Sequence, residues 1–206
     1  MTTSADYSIR LEREADFEKV EFLIREAFWN VYRPGCFEHY LARQLRSADA
    51  FIPELSFVLE KDGEIIGQIM YVRSQIALSD GTTLPIATFG PLSVAPDYRR
   101  RGYGSALTRR SMEEAAKLGA GALAITGAPE FYARFGFESG RSRNVVYADA
   151  PDAPYFLVKE LKPGFLNGVR GTFRDPACYL VSEAEAELFD RQFPPKEKLK
   201  LPGQLV

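Results

Sequence analysis

Residues 92–105 read Leu-Ser-Val-Ala-Pro-Asp-Tyr-Arg-Arg-Arg-Gly-Tyr-Gly-Ser, and the character of the chain changes inside this stretch. Strand-type residues end at Ala95-Pro96-Asp97, a basic turn follows, and apolar residues at helical spacing begin near Gly104. A strand that enters a helix through such a turn leaves the first backbone N–H groups of the helix without intrahelical partners. Together with the positive end of the helix dipole, those donors make an anion site. Gly102 and Gly104 carry no Cβ, so phosphate oxygens can approach the main chain. Arg99, Arg100 and Arg101 add guanidinium charge suited to phosphate. Taken alone, the pattern also fits a solvated basic turn whose glycines ease the chain into a helix. It is not a Walker loop, which ends in Gly-Lys-Ser/Thr. Nor is it a dinucleotide fingerprint, which wants a third glycine where Leu107 stands.

Working outward, the spacing predicts a helix over residues 104–118, with Leu107, Ser111, Ala115 and Leu118 as its inner stripe. Arg109, Glu113 and Lys117 would then form a solvated ladder on the opposite face. The apolar run at 122–126 follows as a strand parallel to the one ending at Val94, through a right-handed crossover. Upstream, residues 7–12 alternate as a strand, and helices are expected over 17–29 and 38–47, broken at Pro34-Gly35. Residues 57–60 and 65–72 pair through a turn at 61–64, and a further strand over 74–78 turns at Asp80-Gly81 into 84–94. Within that last strand Gly90-Pro91 interrupts regular pairing, as a bulge or as an edge-strand proline. Past residue 140 a strand over 155–161 and a helix over 183–193 are expected, then an irregular tail rich in Pro and Lys. The fold class is α/β (α+β): one domain with a mixed, mostly antiparallel sheet flanked by helices. Its core spans about residues 7–161 and its C-terminal extension 162–206.

The 206 residues suffice for one domain with a sizeable core. A net charge of -2 argues against a protein that coats nucleic acid, yet it leaves small anionic ligands open. Cys36 and Cys178 show no ligand spacing and His39 is the single histidine, so no metal site is expected. No apolar run near the amino terminus suggests a signal peptide, and none is long enough to cross a bilayer. The expectation is a cytoplasmic protein with no membrane partner.

Two segments together give a specific likeness. Arg99-Arg100-Arg101-Gly102-Tyr103-Gly104 fits the Q/R-x-x-G-x-G/A signature of the GNAT N-acetyltransferase superfamily. About 30 residues on, Pro129-Glu130-Phe131-Tyr132-Ala133-Arg134-Phe135-Gly136-Phe137 resembles that superfamily's Y-x-x-x-G-F stretch. The chain is most similar to a branch of largely uncharacterised bacterial predicted acetyltransferases. The resemblance implies two central parallel strands that splay apart to admit acetyl-coenzyme A. Cofactor contacts would come from Leu92, Ser93 and Val94, from Arg99, Arg100, Arg101 and Gly102, and from Tyr103, Gly104 and Ser105. It assigns Tyr132 as the acid that protonates the coenzyme A thiolate, and the Leu92 main-chain N–H as the oxyanion donor.

The implied activity is transfer of an acetyl group to a primary amine by direct attack in a ternary complex. A non-catalytic acyl-coenzyme A sensor is the alternative, and an arginine-turn nucleic-acid binder is a third reading that the acidic balance disfavours. An amine of pKa near 10.4 must lose a proton before it attacks. Yet residues 88–94 hold no carboxylate, which leaves Glu130, Asp97, Glu38 and His39 as candidates for the base. Ala128 stands where close relatives carry an acidic residue, and no Asn lies between Ala122 and Tyr132. Aromatic Tyr147, Tyr155 and Phe156 suggest that the chain past Gly140 lines the acceptor site. Homodimerisation is common in the superfamily.

Overall fold

The computed structural model describes residues 6–204. Among the described residues its sheet runs in the order β1 (Ser8–Leu11), β2 (Phe57–Lys61), β3 (Glu64–Leu78), β4 (Thr83–Val94), β5 (Ala122–Thr126), β8 (Phe156–Glu160) and β6 (Glu138–Ser139), and the short β7 (Val145–Tyr147) and β9 (Gly171–Phe173) complete nine strands. Strand β1 (Ser8–Leu11) pairs antiparallel with β2 (Phe57–Lys61), which pairs with β3 (Glu64–Leu78). Strand β3 in turn pairs with β4 (Thr83–Val94) through the turn at Asp80-Gly81. The two strands expected at 65–72 and 74–78 are one. Arg73-Ser74 carries no breaker, and β4 pairs with β3 on both sides of it without interruption.

Alternation along β3 sorts the helices onto two faces. Ile69 and Tyr71 join the cluster of Leu107 and Ala115 from α3 (Tyr103–Lys117). Met70 and Val72 join Val20 and Ile24 of α1 (Phe17–Phe28), and Ala42 and Leu45 of α2 (Glu38–Arg46). The stripe expected on α3 holds through Leu107, Ser111 and Ala115, whereas Leu118 is exposed at the C-cap, where the helix turns out of contact. The ion pairs of that helix are Arg110–Glu114 and Glu114–Lys117 rather than the ladder expected from Arg109.

Strand β5 (Ala122–Thr126) runs parallel to β4 but meets it only at Ala87↔Leu123 and Thr88↔Ala124. Beyond that point the two strands separate. Strand β8 (Phe156–Glu160) keeps β5 company along its whole length, and β6 (Glu138–Ser139) closes that edge. Between β5 and β6 a short helix, α4 (Pro129–Tyr132), descends on the α3 side.

The C-terminal third wraps the other face. Strand β7 (Val145–Tyr147) pairs in parallel with β9 (Gly171–Phe173), and β9 pairs with the far end of β3 at Ile76–Leu78. Neither strand was expected, because each is three residues long and takes its stability from a distant partner. Helix α5 (Glu183–Asp190) is three residues shorter than its apolar spacing suggested. It docks through Asp190, which accepts from the Arg25 guanidinium at 2.6 Å in a site where Arg25 is 1% exposed. Trp29 and Asn30 then hold the carbonyl of Glu197, so the tail is irregular but tied to α1.

Candidate active site

The gap between β4 and β5 begins where the register of β4 changes. Tyr71 faces Phe89 and Ile69 faces Leu92, so Gly90 and Pro91 together stand opposite Met70. That extra residue is a bulge, the first of the two readings open for Gly90-Pro91. Gln68, itself 1% exposed, donates its amide to the Pro91 carbonyl at 3.0 Å and to Ser93 Oγ at 3.2 Å, bracing the bulge from β3.

Past the bulge the main chain has a definite orientation. The Ala95 N–H donates to the Ile66 carbonyl, so residue 95 faces β3. By alternation Ser93 faces β3 as well, whereas Leu92 and Val94 aim their N–H and C=O groups at the gap. Of the three strand residues proposed to meet a cofactor, Ser93 is thus turned away, its side chain held by Gln68.

The turn after β4 forms a 3-10 segment, Pro96–Tyr98, and then enters α3. Gly102 is the N-cap at φ 90°, a left-handed conformation that costs glycine little, and no side chain caps the helix. The N–H groups of Tyr103, Gly104 and Ser105 therefore open the helix unpaired. A Cβ on Gly104 would meet only Phe131 and Val94 side-chain carbons at 3.6 Å, ordinary contact. The fold itself does not require glycine there, and the space is open to an anion on the main chain.

The arginines divide their work. Arg99 donates to the Ala27 carbonyl at the end of α1, which ties the turn to the fold. Arg101 lies over the Tyr98 ring at 5.6 Å, and Arg100 is exposed with φ 60°. The Tyr103 ring is buried edge-on against Tyr7, so that residue offers the turn only its main chain.

Across the gap, Tyr132 sits at the end of α4, buried among Phe89 (5.8 Å between ring centroids), Phe131 (4.9 Å) and Phe137 (5.5 Å). The ring lies so tightly on Gly127 that a Cβ there would overlap it. Burial pushes the phenol well above its usual pKa, and the neighbouring Tyr32 adds to the effect. The hydroxyl stays protonated at any working pH and is a donor.

Of the four carboxylate and imidazole candidates for a base, Asp97 and Glu130 are exposed on the outer surface of their turns. His39 is fully buried between Phe189 and Phe193, with Nδ1 at 3.3 Å from Cys36 Sγ. Burial lowers its pKa to about 4, with Asp190 opposing, so it is a neutral core residue on the far side of α2. Glu38 differs. It is half-buried at the start of α2, accepts the Phe37 N–H at 3.0 Å, and has its pKa raised by burial. Burial, and after it the charge of Glu38, raise the pKa of Tyr32.

Tyr179 has no sequence signal. Its hydroxyl donates to the Gly90 carbonyl at 3.0 Å, 89 residues away, and so places the C-terminal segment on the bulge. Concavities of about 590 and 470 Å³ lie elsewhere on the sheet, at the β3–β9 corner and near Phe165, and none of the turn residues lines either. Among the described residues no helix is long and apolar enough to cross a membrane, and no group of three His, Cys, Asp or Glu side chains is placed to hold a metal.

Comparison with known proteins converges on one family. Residues 8–140 match the family model of the acetyltransferase (GNAT) domain. An uncharacterised N-acetyltransferase of Escherichia coli (strain K12), YjhQ, is 28% identical over 98 residues, 48% of this chain and 54% of the relative. The match thus spans about half the length of that curated relative. Among solved structures, the GNAT family N-acetyltransferase YhbS from E. coli in complex with CoA aligns over 87% of this chain and 94% of its own, with 25% identity and a TM-score of 0.73. A GNAT family acetyltransferase from Brucella melitensis in complex with acetyl-CoA aligns over 84% and 98%, with 26% identity and a TM-score of 0.67.

Proposed function

This chain belongs to the GNAT acetyltransferase family, and on that premise we propose that it is an acetyl-coenzyme A-dependent N-acetyltransferase acting on a primary amine by direct attack in a ternary complex. The observation that carries the proposal is the open edge of β4. Leu92 and Val94 present main-chain groups to a gap that ends in an uncapped, glycine-lined helix start.

Acetyl-coenzyme A supplies the acetyl thioester. Its pantetheine arm has the hydrogen-bonding pattern of a strand, which suits the unpaired groups of Leu92 and Val94. Its phosphates suit the N–H groups of Gly102, Tyr103, Gly104 and Ser105 and the charges of Arg100 and Arg101. Ser93 and Arg99 support this site from behind, through Gln68 and Ala27.

The Leu92 N–H points into the gap and receives the developing oxyanion. Tyr132 holds its proton on the phenol oxygen and gives it to the departing sulfur. Burial among three phenylalanines fixes the ring and keeps the hydroxyl neutral until then. Glu38 takes the proton of the incoming ammonium. A carboxyl whose pKa is raised by burial is better matched to that task than an ordinary surface glutamate.

A second reading, a non-catalytic acyl-coenzyme A sensor, draws on the lack of a carboxylate between Thr88 and Val94. Steady-state turnover separates the two. The transferase reading expects amine-dependent release of free thiol that falls by roughly 10²-fold or more in Tyr132→Phe. A folded protein that binds acetyl-coenzyme A yet turns over no amine is the sensor.

A further inference from the structure

We infer that Asp175 is the acceptor-recognition carboxylate, receiving the positive charge of an amine whose apolar body lies along the neighbouring tyrosine rings. The inference rests on the transferase reading and names the acceptor class for that same site.

Its basis is the path of the chain after β9. Because β9 is antiparallel to β3, with Phe173 opposite Ile76, the segment that follows runs along β3 toward the bulge. A 3-10 turn, Ala177–Tyr179, brings it there. Two contacts from different elements clamp it in place. The Tyr179 hydroxyl is on the Gly90 carbonyl, and the Gln44 amide of α2 holds the Cys178 and Leu180 carbonyls at 2.8 and 2.9 Å. Residues 174–180 lie outside residues 8–140, the stretch that matches the family model.

On that segment Asp175 is half-buried and accepts the Tyr147 hydroxyl at 2.5 Å. Among the described residues no cation pairs with it. Its neighbour Arg174 is turned to Asp149. The charged or titratable groups that face it are Tyr147, Asp149 and Tyr179, and none is positive. A carboxylate partly out of water with no cation is incompletely compensated. Burial and the charge of Asp149 raise its pKa, and the Tyr147 bond only partly opposes them. An ammonium ion supplies what is missing.

The surroundings define the rest of the ligand. Asp175 lies on the segment that leads to Tyr179, whose hydroxyl bonds the Gly90 carbonyl, so the carboxylate stands on the approach to the β4 bulge where the gap opens. The Tyr147 ring adjoins Tyr155, 43% exposed, at 6.4 Å. An acid beside an exposed aromatic face fits a primary amine carried on an apolar or aromatic body.

The test titrates the full chain with 2-phenylethylamine, with its neutral isostere 2-phenylethanol, and separately with coenzyme A. Wild type should bind the amine more tightly than the alcohol. Asp175→Asn should lose about tenfold or more in amine affinity while binding the alcohol and coenzyme A as before. Asp175→Glu should restore part of the loss, and in turnover Asp175→Asn should raise KM for the amine with kcat little changed. A purely architectural Tyr147–Asp175 bond would lower thermal stability and leave the amine preference intact, which would overturn the inference. So would wild type that binds coenzyme A but shows no saturable amine binding. Asp175-dependent amine binding in a protein that ignores coenzyme A would uphold this site while removing the transferase reading.

Discussion

On the α3 side of the β4 bulge, the site is almost all main chain drawn from one continuous stretch, residues 92–105. On the α1–α2 side it is held by side chains from distant elements, and Gln44 reaches 134 residues along the chain to hold the Cys178 carbonyl. The first side is local and built from strand alternation, one left-handed glycine and an uncapped helix. The second is assembled from Gln44, Tyr147, Asp175 and Tyr179, whose contacts depend on the whole tertiary fold. On the proposed reading, the cofactor is met by the backbone and the acceptor by side chains drawn from distant parts of the chain.

That contrast is sharpened by substitutions, beginning with the largest effect. On the proposed reading, Tyr132 is the cofactor-side group whose side chain does chemistry. Tyr132→Phe should lower kcat by roughly 10²-fold or more, with acetyl-coenzyme A affinity little changed in parallel titrations. Gly127→Ala should mimic it by displacing the ring.

Next comes the anchor of the C-terminal wrap. Arg25→Ala removes a buried guanidinium that bonds Asp190 and the Pro194 carbonyl and stacks on Trp29. Unfolding in urea should show a loss of about 3 kcal/mol. On the proposed reading the acceptor KM should rise more than the cofactor Kd, because α5 and the tail pack on α1 and α2 and not on the β4–α3 turn.

His39 gives the wrap a pH signature. Its folded pKa is depressed to about 4 by burial, below the unfolded value of 6.5. The unfolded chain therefore binds the proton first. The His39 contribution to stability is complete above about pH 6.5 and is lost as pH falls toward 4. The urea midpoint should drop between pH 7 and pH 5, and His39→Gln should flatten that dependence.

A smaller change is expected from Tyr179→Phe, which removes one hydrogen bond to Gly90 and should cost about 1 kcal/mol. Smallest of all is the split between adjacent arginines. Arg100→Ala should weaken acetyl-coenzyme A binding by about threefold to tenfold with stability unchanged. Arg99→Ala should act mainly on the melting temperature, through Ala27.

The same contrast explains what could be read in advance. The Arg99-to-Gly104 turn, its flanking strand and helix, and the bulge at Gly90-Pro91 all leave local marks of spacing and residue type. Tyr132 could be singled out because a second local motif stands about 30 residues after the first, and its role remains part of the proposed function. Asp175 and Tyr179 have no such mark. They sit in Arg-Asp-Pro-Ala-Cys-Tyr, a polar loop on inspection, and gain meaning only when Phe173 pairs with Ile76. Strands β7 and β9 were missed for the same reason. His39 and Arg25, on helices that spacing located well, turned out to be core because α5 covers them. Only the packing of α5 shows that.

The most direct test of the account is isothermal titration of acetyl-coenzyme A into wild type and Gly104→Glu. A Cβ at Gly104 makes only ordinary contact with Phe131 and Val94, so the variant should fold, yet it sets a carboxylate where phosphate is expected. Saturable binding by wild type that is abolished in the folded variant is the predicted result. Folded wild type that binds no acetyl-coenzyme A, or a variant that binds it equally well, would contradict the assignment of the β4–α3 turn as the cofactor site.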